Sequence, residues 1–178
     1  MDVKYINPFV NALTLMMETM LEITPELQPP YQKTEKLTHG DVSGIIGFGG
    51  KGISGSVVIS FPTDTALTIY EAMMGESVSC INMDVQDTIG EIANMVAGGA
   101  KKEFADAGMS FHISIPTVVV GKEHSLGHKT EIPAVVVPFE IENNKSFTME
   151  ISLKINKKDP FATKIEPKTP EKASQEIL

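Results

Sequence analysis

The chain has 178 residues, of which 42% are hydrophobic and 21% are charged, so one domain with a sizeable core is expected and extensive disorder is excluded. The formal net charge is −8 and all 15 basic residues are lysines, a composition that is unfavourable for binding nucleic acid or for clamping phosphate with guanidinium groups. Cys80 is the only cysteine, which excludes an intrachain disulfide and a multi-cysteine metal site. The chain shows neither a signal peptide nor an apolar run of the ~18 residues that a membrane helix needs, so a cytoplasmic protein is expected.

The first predicted element is a helix that begins at Asn7. Asparagine is a favoured N-cap, and Pro8 suits the first helical position. Apolar residues then recur at helical spacing until Thr24 and Pro25 end the helix. A stripe of methionines on this helix is expected to pack in the core or at a dimer seam. These methionines are Met16, Met17 and Met20.

Two strands, over 41–48 and 53–61, are predicted next. The four residues between them, Gly49-Gly50-Lys51-Gly52, are typical of a hairpin turn. The same glycines invite comparison with a phosphate-binding loop. That loop needs a second glycine five residues before the glycine that precedes the lysine, and a serine or threonine directly after the lysine. Ile45 and Gly52 stand at those positions, so the hairpin is the favoured interpretation.

The rest of the chain contains two helices and then strands. The last strand alternates apolar and polar residues, so one of its faces is expected to be buried and the other solvated. A long helix, a proline and a run of strands occur in each half, which indicates a weak internal symmetry. The predicted domain covers 1–156, and the tail 157–178 is expected to be solvated because it is rich in proline and in alternating charges. The predicted elements are helices over 62–74 and 84–107, strands over 114–120, 132–141 and 146–155, and a polar loop over 121–130.

The long helix over 84–107 separates its polar and apolar residues onto opposite sides, at about 100° per residue. A merely solvated face is the simplest interpretation of the polar side. However, an asparagine in mid-helix is a mediocre helix former, and each of two glycines, Gly98 and Gly99, costs about 1 kcal/mol relative to alanine. These features favour a surface that another protein approaches closely. The polar stripe consists of Asp87, Glu91, Asn94, Gly98 and Lys101, and the apolar stripe consists of Val85, Ile89, Ile92, Val96 and Ala100.

Glu91 and Asn94 carry the functional hypothesis. A side-chain amide can donate a hydrogen bond to one water and accept one from it, so it can orient that water for attack. A carboxylate can pair with a lysine on a partner. Neither group holds phosphate itself, so the pair fits a protein that reaches into a phosphate site already assembled on another protein, such as the acyl phosphate, metal ion and lysine of a response-regulator receiver domain.

The residues around this pair resemble the CheC, CheX and FliY phosphatases of bacterial chemotaxis. The pattern of that family is an acid or serine, three residues, a glutamate, two residues, an asparagine and, about twenty-two residues later, a proline. Asp87, Glu91 and Asn94 match it, and Pro116 follows after 21 residues, which departs from the family spacing by one.

The resemblance covers most of residues 5–155 and points to the CheX branch. The opening over 5–12, YINPFVNA, and the hairpin residues over 45–48, IIGF, are similar to CheX. CheC carries the pattern twice, whereas the first helix here continues from Glu18 to Leu21, where a second copy would require asparagine.

The resemblance implies a CheC-like α/β (α+β) fold, with an antiparallel-rich sheet packed against two long helices. It implies hydrolysis of the aspartyl phosphate of a CheY-type receiver, with Asn94 positioning the attacking water and Glu91 pairing with the receiver's lysine. Asp87, Gly98 and Lys101 would contact the partner, the Mg²⁺ would belong to the receiver, no cofactor of its own would be needed, and a homodimer is expected. The alternative is a non-catalytic CheX-like binding or scaffold domain, against which the intact Glu91 and Asn94 pair argues.

Other candidate sites are weaker. Glu123, His124 and His128 have a spacing that could ligate zinc in a helix, but the neighbouring glycines predict a loop, so a metal site is disfavoured. Cys80 has no flanking base in the sequence, which disfavours a role as a nucleophile.

Overall fold

The computed structural model describes residues 3–34, 37–122, 124–126 and 134–155. The predicted tail over 157–178, two of the three residues considered for zinc (Glu123 and His128) and the start of the predicted strand over 132–141 lie outside this part of the chain. The helices are α1 (Asn7–Met16), α2 (Thr63–Met74) and α3 (Met83–Asp106), and the strands are β1 (Glu26–Leu27), β2 (Tyr31–Gln32), β3 (Val42–Gly49), β4 (Ile53–Phe61), β5 (His112–Ile113), β6 (Thr117–Val120), β7 (Val135–Ile141) and β8 (Lys145–Ile155).

The described strands form one sheet, with β4 and β8 at its centre. The order is β1-β7-β8-β4-β3-β5, β2 also pairs with β7, β6 also pairs with β3, and every pairing between these strands is antiparallel. One row across the sheet joins Ile46, Val57, Ile151 and Val135. These residues lie in or against the core shared with the helices. The predicted α+β fold with an antiparallel-rich sheet is therefore confirmed.

The topology shows the internal symmetry that the sequence indicates. Each half contains a long helix (α1 or α3), two short strands (β1 and β2, or β5 and β6) and a hairpin (β3–β4 or β7–β8). The short strands of the first half pair with β7, whereas those of the second half pair with β3. The two halves thus complete each other's sheet edges.

The start of α1 corrects one sequence prediction. Pro8 lies in the first turn as expected, but Ile6 rather than Asn7 occupies the N-cap, and no side chain caps the helix. A short 3₁₀ turn over Val3–Tyr5 already brings Ile6 into helical geometry, and the carbonyl of Ile6 accepts hydrogen bonds from the N–H groups of Phe9 and Val10. Asn7 is therefore inside the helix, where its side chain has no capping role.

The chain leaves α1 through a wider π turn over Met17–Leu21, and Glu22 ends it in a left-handed conformation. Met16 and Met17 are buried in the core, whereas Met20 is half exposed. Two of the three predicted methionines therefore pack in the core.

The hairpin and the helix that follows it match the sequence predictions. Strand β3 pairs with β4 along the whole length of β3, and the N–H of Gly50 donates to the carbonyl of Ile53 at 2.8 Å. Gly52 has a φ of 88°, a conformation that favours glycine. Helix α2 ends at Gly75, whose φ of 75° gives the left-handed C-cap.

The last strand departs from the sequence prediction because both of its faces are buried. The expected solvated face carries Thr148, Glu150 and Ser152, and all three are buried. Segments from elsewhere in the chain cover this face of the sheet. Lys33 forms an ion pair with Glu150 at 2.6 Å, and the hydroxyl of Thr38 donates to the carbonyl of His124 at 3.0 Å. The alternating pattern of this strand predicts one solvated face. It does not reveal the segments that cover this face, because they are remote along the chain.

Candidate functional site

Helix α3 is fixed by a side-chain cap and by a continuous apolar side. The side chain of Asn82 accepts a hydrogen bond from the N–H of Val85 at 2.9 Å, which satisfies one of the free donors at the helix start. The predicted apolar stripe of Val85, Ile89, Ile92, Val96 and Ala100 is entirely buried, as expected. The opposite side of the helix is thereby held in one orientation relative to the sheet.

Three close contacts decide which side of α3 remains free. A Cβ placed on Gly44 of β3 would lie 2.7 Å from the carbonyl oxygen of Ile89, so this strand and the helix approach at backbone distance. A Cβ on Gly99 would lie 2.8 Å from the Cβ of Ala12 in α1, so Gly99 belongs to the crossing of the two helices. A Cβ on Gly90 would lie 3.2 Å from Val118 of β6.

The remaining sector of α3 carries the predicted polar stripe. At about 100° per residue, this sector lies between the flank that meets β6 and the flank that meets α1. Asp87 and Glu91 are exposed there, whereas Asn94 and Lys101 are partly buried. Leaving aside the adjacent residues and the nearby backbone of α3 itself, no atom of the described residues lies within 4 Å of a Cβ placed on Gly98, in contrast to its neighbour Gly99. The structure therefore brings the five predicted residues to one side of one helix.

The functional groups of Glu91 and Asn94 are available to a partner. Within the part of the chain that the structure describes, neither side chain makes a hydrogen bond or an ion pair. The amide of Asn94 therefore retains both donors and its acceptor, and the carboxylate of Glu91 retains its acceptors. The carboxylate can therefore bind a cation, and the amide can bind a water molecule.

One further segment, which was not among the predicted site residues, lies beside this surface. The Cβ and Cγ of Pro116 lie 3.7 and 3.9 Å from a Cβ placed on Gly90, one helical turn before Asn94. Ile115, just before this proline, is 85% exposed. The only sequence signal was the spacing from Asn94 to Pro116, which does not reveal that β6 pairs with β3 and holds the proline just before it against the helix.

The other candidates have structural roles or no observed role. His124 lies 2.7 Å from the hydroxyl of the buried Ser43 and 2.7 Å from the carbonyl of Gly121, so its ring nitrogens are engaged in the loop packing. No three His, Cys, Asp or Glu side chains among the described residues come together as a metal site. Cys80 is exposed and unpaired with another cysteine. No helix in the described ranges is both long and apolar enough to span a membrane.

Comparison with known proteins identifies the family. Residues 42–140, which include the β3–β4 hairpin, α3 and Pro116, match the family described as chemotaxis phosphatase CheX. The chain belongs to the CheX family. The resemblance inferred from the sequence is thereby confirmed, including its CheX branch.

Individual CheX relatives match over most of their length. The CheY-P phosphatase CheX of Thermotoga maritima is 28% identical over 156 residues, which is 86% of this chain and 98% of that protein. A CheC-like superfamily protein from Shewanella sp. PV-4, known from a crystal structure, is 36% identical in sequence. Its structure matches with a TM-score of 0.81 over 86% of this chain and 99% of that one. CheX in the CheX-CheY-BeF3-Mg²⁺ complex from Borrelia burgdorferi is 26% identical, with a TM-score of 0.71 over 86% of this chain and 99% of that one.

Proposed function

We propose that this CheX-family protein hydrolyses the aspartyl phosphate of a CheY-type response regulator. Asn94 positions the attacking water, and Glu91 pairs with the lysine of the receiver's active site. The observation that carries the proposal is the pair itself: two side chains of one exposed helical sector that make no hydrogen bond or ion pair within the described chain. The CheY-P phosphatase CheX of Thermotoga maritima and the CheX-CheY complex from Borrelia burgdorferi support the choice of substrate.

The proposed reaction is a hydrolysis of an acyl phosphate. The oxygen of water forms a bond to phosphorus while the bond from phosphorus to the aspartate oxygen breaks, and the electron pair of that bond stays on the receiver's carboxylate. The protons of the water pass to inorganic phosphate and solvent. Such a transfer depends mainly on positioning and on charge stabilisation. Asn94 supplies the positioning, since its carbonyl can accept from the water while its N–H₂ group donates nearby.

The rest of the stripe is proposed to contact the receiver. Gly98 has open space above it, so a partner's backbone can approach α3 one turn beyond Asn94. Asp87 and Lys101 lie before and after the reactive pair and can fix the orientation of the docked receiver by their charges. The Mg²⁺ in this proposal is part of the receiver and neutralises charge on the phosphoryl group. The protein itself contributes no cofactor.

Two further expectations remain proposals. The protein is expected to form a homodimer, which would present two copies of the α3 surface, and to act in the cytoplasm. Analytical ultracentrifugation of the full chain measures the first directly. A monomeric mass at micromolar concentration would contradict it.

The decisive experiment replaces Asn94 with alanine. A receiver phosphorylated with acetyl phosphate should lose phosphate faster with the wild-type protein, and Asn94→Ala should reduce that stimulation roughly 100-fold, the order of effect of removing one preorganised polar group. The melting temperature should stay within a few degrees, because the Asn94 side chain has no partner in the described fold. Gln86→Ala, which removes a partly buried amide from another side of α3, is the matched control. Wild-type turnover by Asn94→Ala would reject the mechanism.

The same assay separates the proposal from a scaffold role. A binding domain would retain affinity for the receiver loaded with Mg²⁺ and beryllofluoride, yet leave the rate of phosphate loss unchanged. Acceleration by the wild-type protein, lost in Asn94→Ala, excludes that alternative.

A further inference from the structure

Ile115 is the most exposed large apolar residue in the described part of the chain. The residue is 85% exposed, more than Met83 at 68% or Leu15 at 61%. Isolated apolar residues on a surface are ordinary. The position of Ile115 is less ordinary, because it lies between two short strands and directly precedes Pro116, which contacts the helix that carries Glu91 and Asn94.

The backbone at Ile115 is held in place on both sides. The N–H of Ser114 donates to the carbonyl of Gly47 at 2.8 Å, and the N–H of Gly47 donates to the hydroxyl of Ser114 at 3.0 Å. The same hydroxyl donates to the carbonyl of Ile115 at 2.8 Å. Strand β5 before this segment and strand β6 after it both pair with β3. Ile115 is therefore presented to solvent by an anchored segment.

The path of the chain places this segment along the flank of α3. The N–H of Met109 donates to the carbonyl of Phe104 near the end of the helix, and the rings of Phe111 and Phe104 lie 5.5 Å apart. Pro116 contacts the position of Gly90, about four turns earlier in the helix. Between these two contacts the chain runs back along α3 and passes the turn that carries Asn94.

We propose that Ile115 is a positioning residue that anchors the phosphorylated receiver through an apolar contact next to its phosphorylation site. The inference rests on the proposed function and deepens it. A partner close enough for Asn94 to reach its acyl phosphate also covers the flank of α3 on which this segment lies. The stripe itself offers charged and polar groups, which set orientation and approach. Ile115 adds the apolar contact that stable interfaces place beside such groups.

The occupant of this surface is the receiver, and a second copy of the chain is the competing possibility. The argument for the receiver is continuity with the Glu91 and Asn94 sector, since one rigid partner surface can cover both. The prediction follows that Ile115 contributes to affinity and leaves the chemical step unchanged.

The test compares Ile115→Ala with Leu27→Ala. Leu27 is 52% exposed in β1, at the opposite edge of the sheet. For Ile115→Ala, the Kd for a CheY-type receiver loaded with Mg²⁺ and beryllofluoride should rise roughly tenfold, and KM for the phosphorylated receiver should rise similarly with kcat unchanged. Leu27→Ala should match the wild type in both measurements, and both variants should keep the wild-type melting temperature.

The outcomes distinguish this inference from the function on which it rests. A wild-type protein that neither binds the loaded receiver nor accelerates phosphate loss would overturn both. Wild-type Kd and KM in Ile115→Ala, with an active wild-type protein, would overturn the role of Ile115 alone. A smaller molecular mass of Ile115→Ala by light scattering would assign the residue to a contact between copies and would also overturn it.

Discussion

Glu91 and Asn94 make no hydrogen bond or ion pair in the described chain, whereas several other polar side chains in or next to the long helices do. Asn82 caps α3, Thr88 donates to the carbonyl of Asp84, and Glu103 accepts from Asn11 of α1. These contacts stabilise the fold, so their side chains are occupied. Glu91 and Asn94 have no such task in the described chain, which leaves their hydrogen-bonding capacity for the proposed receiver.

Replacing Glu91 with alanine should weaken docking more than chemistry. The carboxylate is proposed to pair with a lysine on the receiver, so its removal should raise KM roughly tenfold and reduce the dependence of KM on salt, with a smaller effect on kcat. Steady-state phosphate release at two ionic strengths measures both quantities. Glu18→Ala removes an exposed carboxylate from the turn after α1 and should match the wild type. A loss of kcat at unchanged KM would place Glu91 in the chemical step instead.

At the scale of elements, the local sequence predicted the helices and the hairpin, but it did not predict where the other strands begin or which of their faces are buried. The spacing of apolar residues predicted α3 within one residue at each end, because the helical period is set by neighbours four residues away. The strand predicted over 114–120 is shorter in the structure, where β6 begins only at Thr117 and is split from the earlier β5 (His112–Ile113), since Ser114 bonds to Gly47 and Pro116 has no N–H to donate. That split creates the segment that presents Ile115.

The junction between β3 and α2 gives a prediction on pH. The side-chain and backbone hydrogen bonds that Asp41 accepts from Thr63, at 2.6 and 2.9 Å, hold the pKa of the Asp41 carboxyl below its ordinary value of 3.8. The ionised form is therefore favoured by folding. Its contribution to stability is complete above about pH 5 and is lost as the pH falls through 3.8 and below.

Urea unfolding between about pH 3 and 6 measures this contribution. Asp41→Asn should lower the free energy of unfolding at pH 6. It should also make that free energy fall less steeply as the pH is lowered from 6 to 3. Asp87→Asn, which removes an exposed carboxylate of α3 with no hydrogen-bond partner in the described chain, serves as the comparison. An Asp41→Asn profile parallel to that of the wild type would contradict the assignment.

At the scale of the whole molecule, the two halves are interlocked. The short strands of each half pair with the hairpin of the other, and β4 and β8 join the hairpins at the centre of the sheet. This exchange buries α1 and α3 against one face. The other face is covered by segments from both halves, including Lys33 from the first half against Glu150 from the second.

The buried pair between Lys33 and Glu150 should contribute strongly to stability when only one partner is lost. The two side chains are 6% and 0% exposed, so Lys33→Met leaves a carboxylate in the interior and should cost about 3–5 kcal/mol. The double variant Lys33→Met, Glu150→Met should be more stable than Lys33→Met alone, because the buried carboxylate that lost its lysine is also gone. Denaturant unfolding provides both values, with Lys154→Met on the exposed end of β8 as the control. Equal stabilities of the single and double variants would refute this account.

The sequence by itself determined the helices, the β3–β4 hairpin and the polar stripe of α3. Each depends on residues within a few positions of one another, through helical period, turn chemistry and the composition of one helical side. The family pattern around Asp87, Glu91 and Asn94 is local in the same sense. It was readable without coordinates, and its match to the CheX family follows from it.

Only the tertiary structure decided which polar faces are buried and which exposed apolar residue precedes the proline that contacts α3. Glu150 is buried because Lys33, 117 positions away, covers it. Gly98 and Gly99 are equivalent in sequence, yet one faces open space and the other meets Ala12 of α1. Pro116, which follows Ile115, reaches the flank of α3 because β6 pairs with β3. In each case the deciding contact joins residues that are remote along the chain, so no local period or composition encodes it.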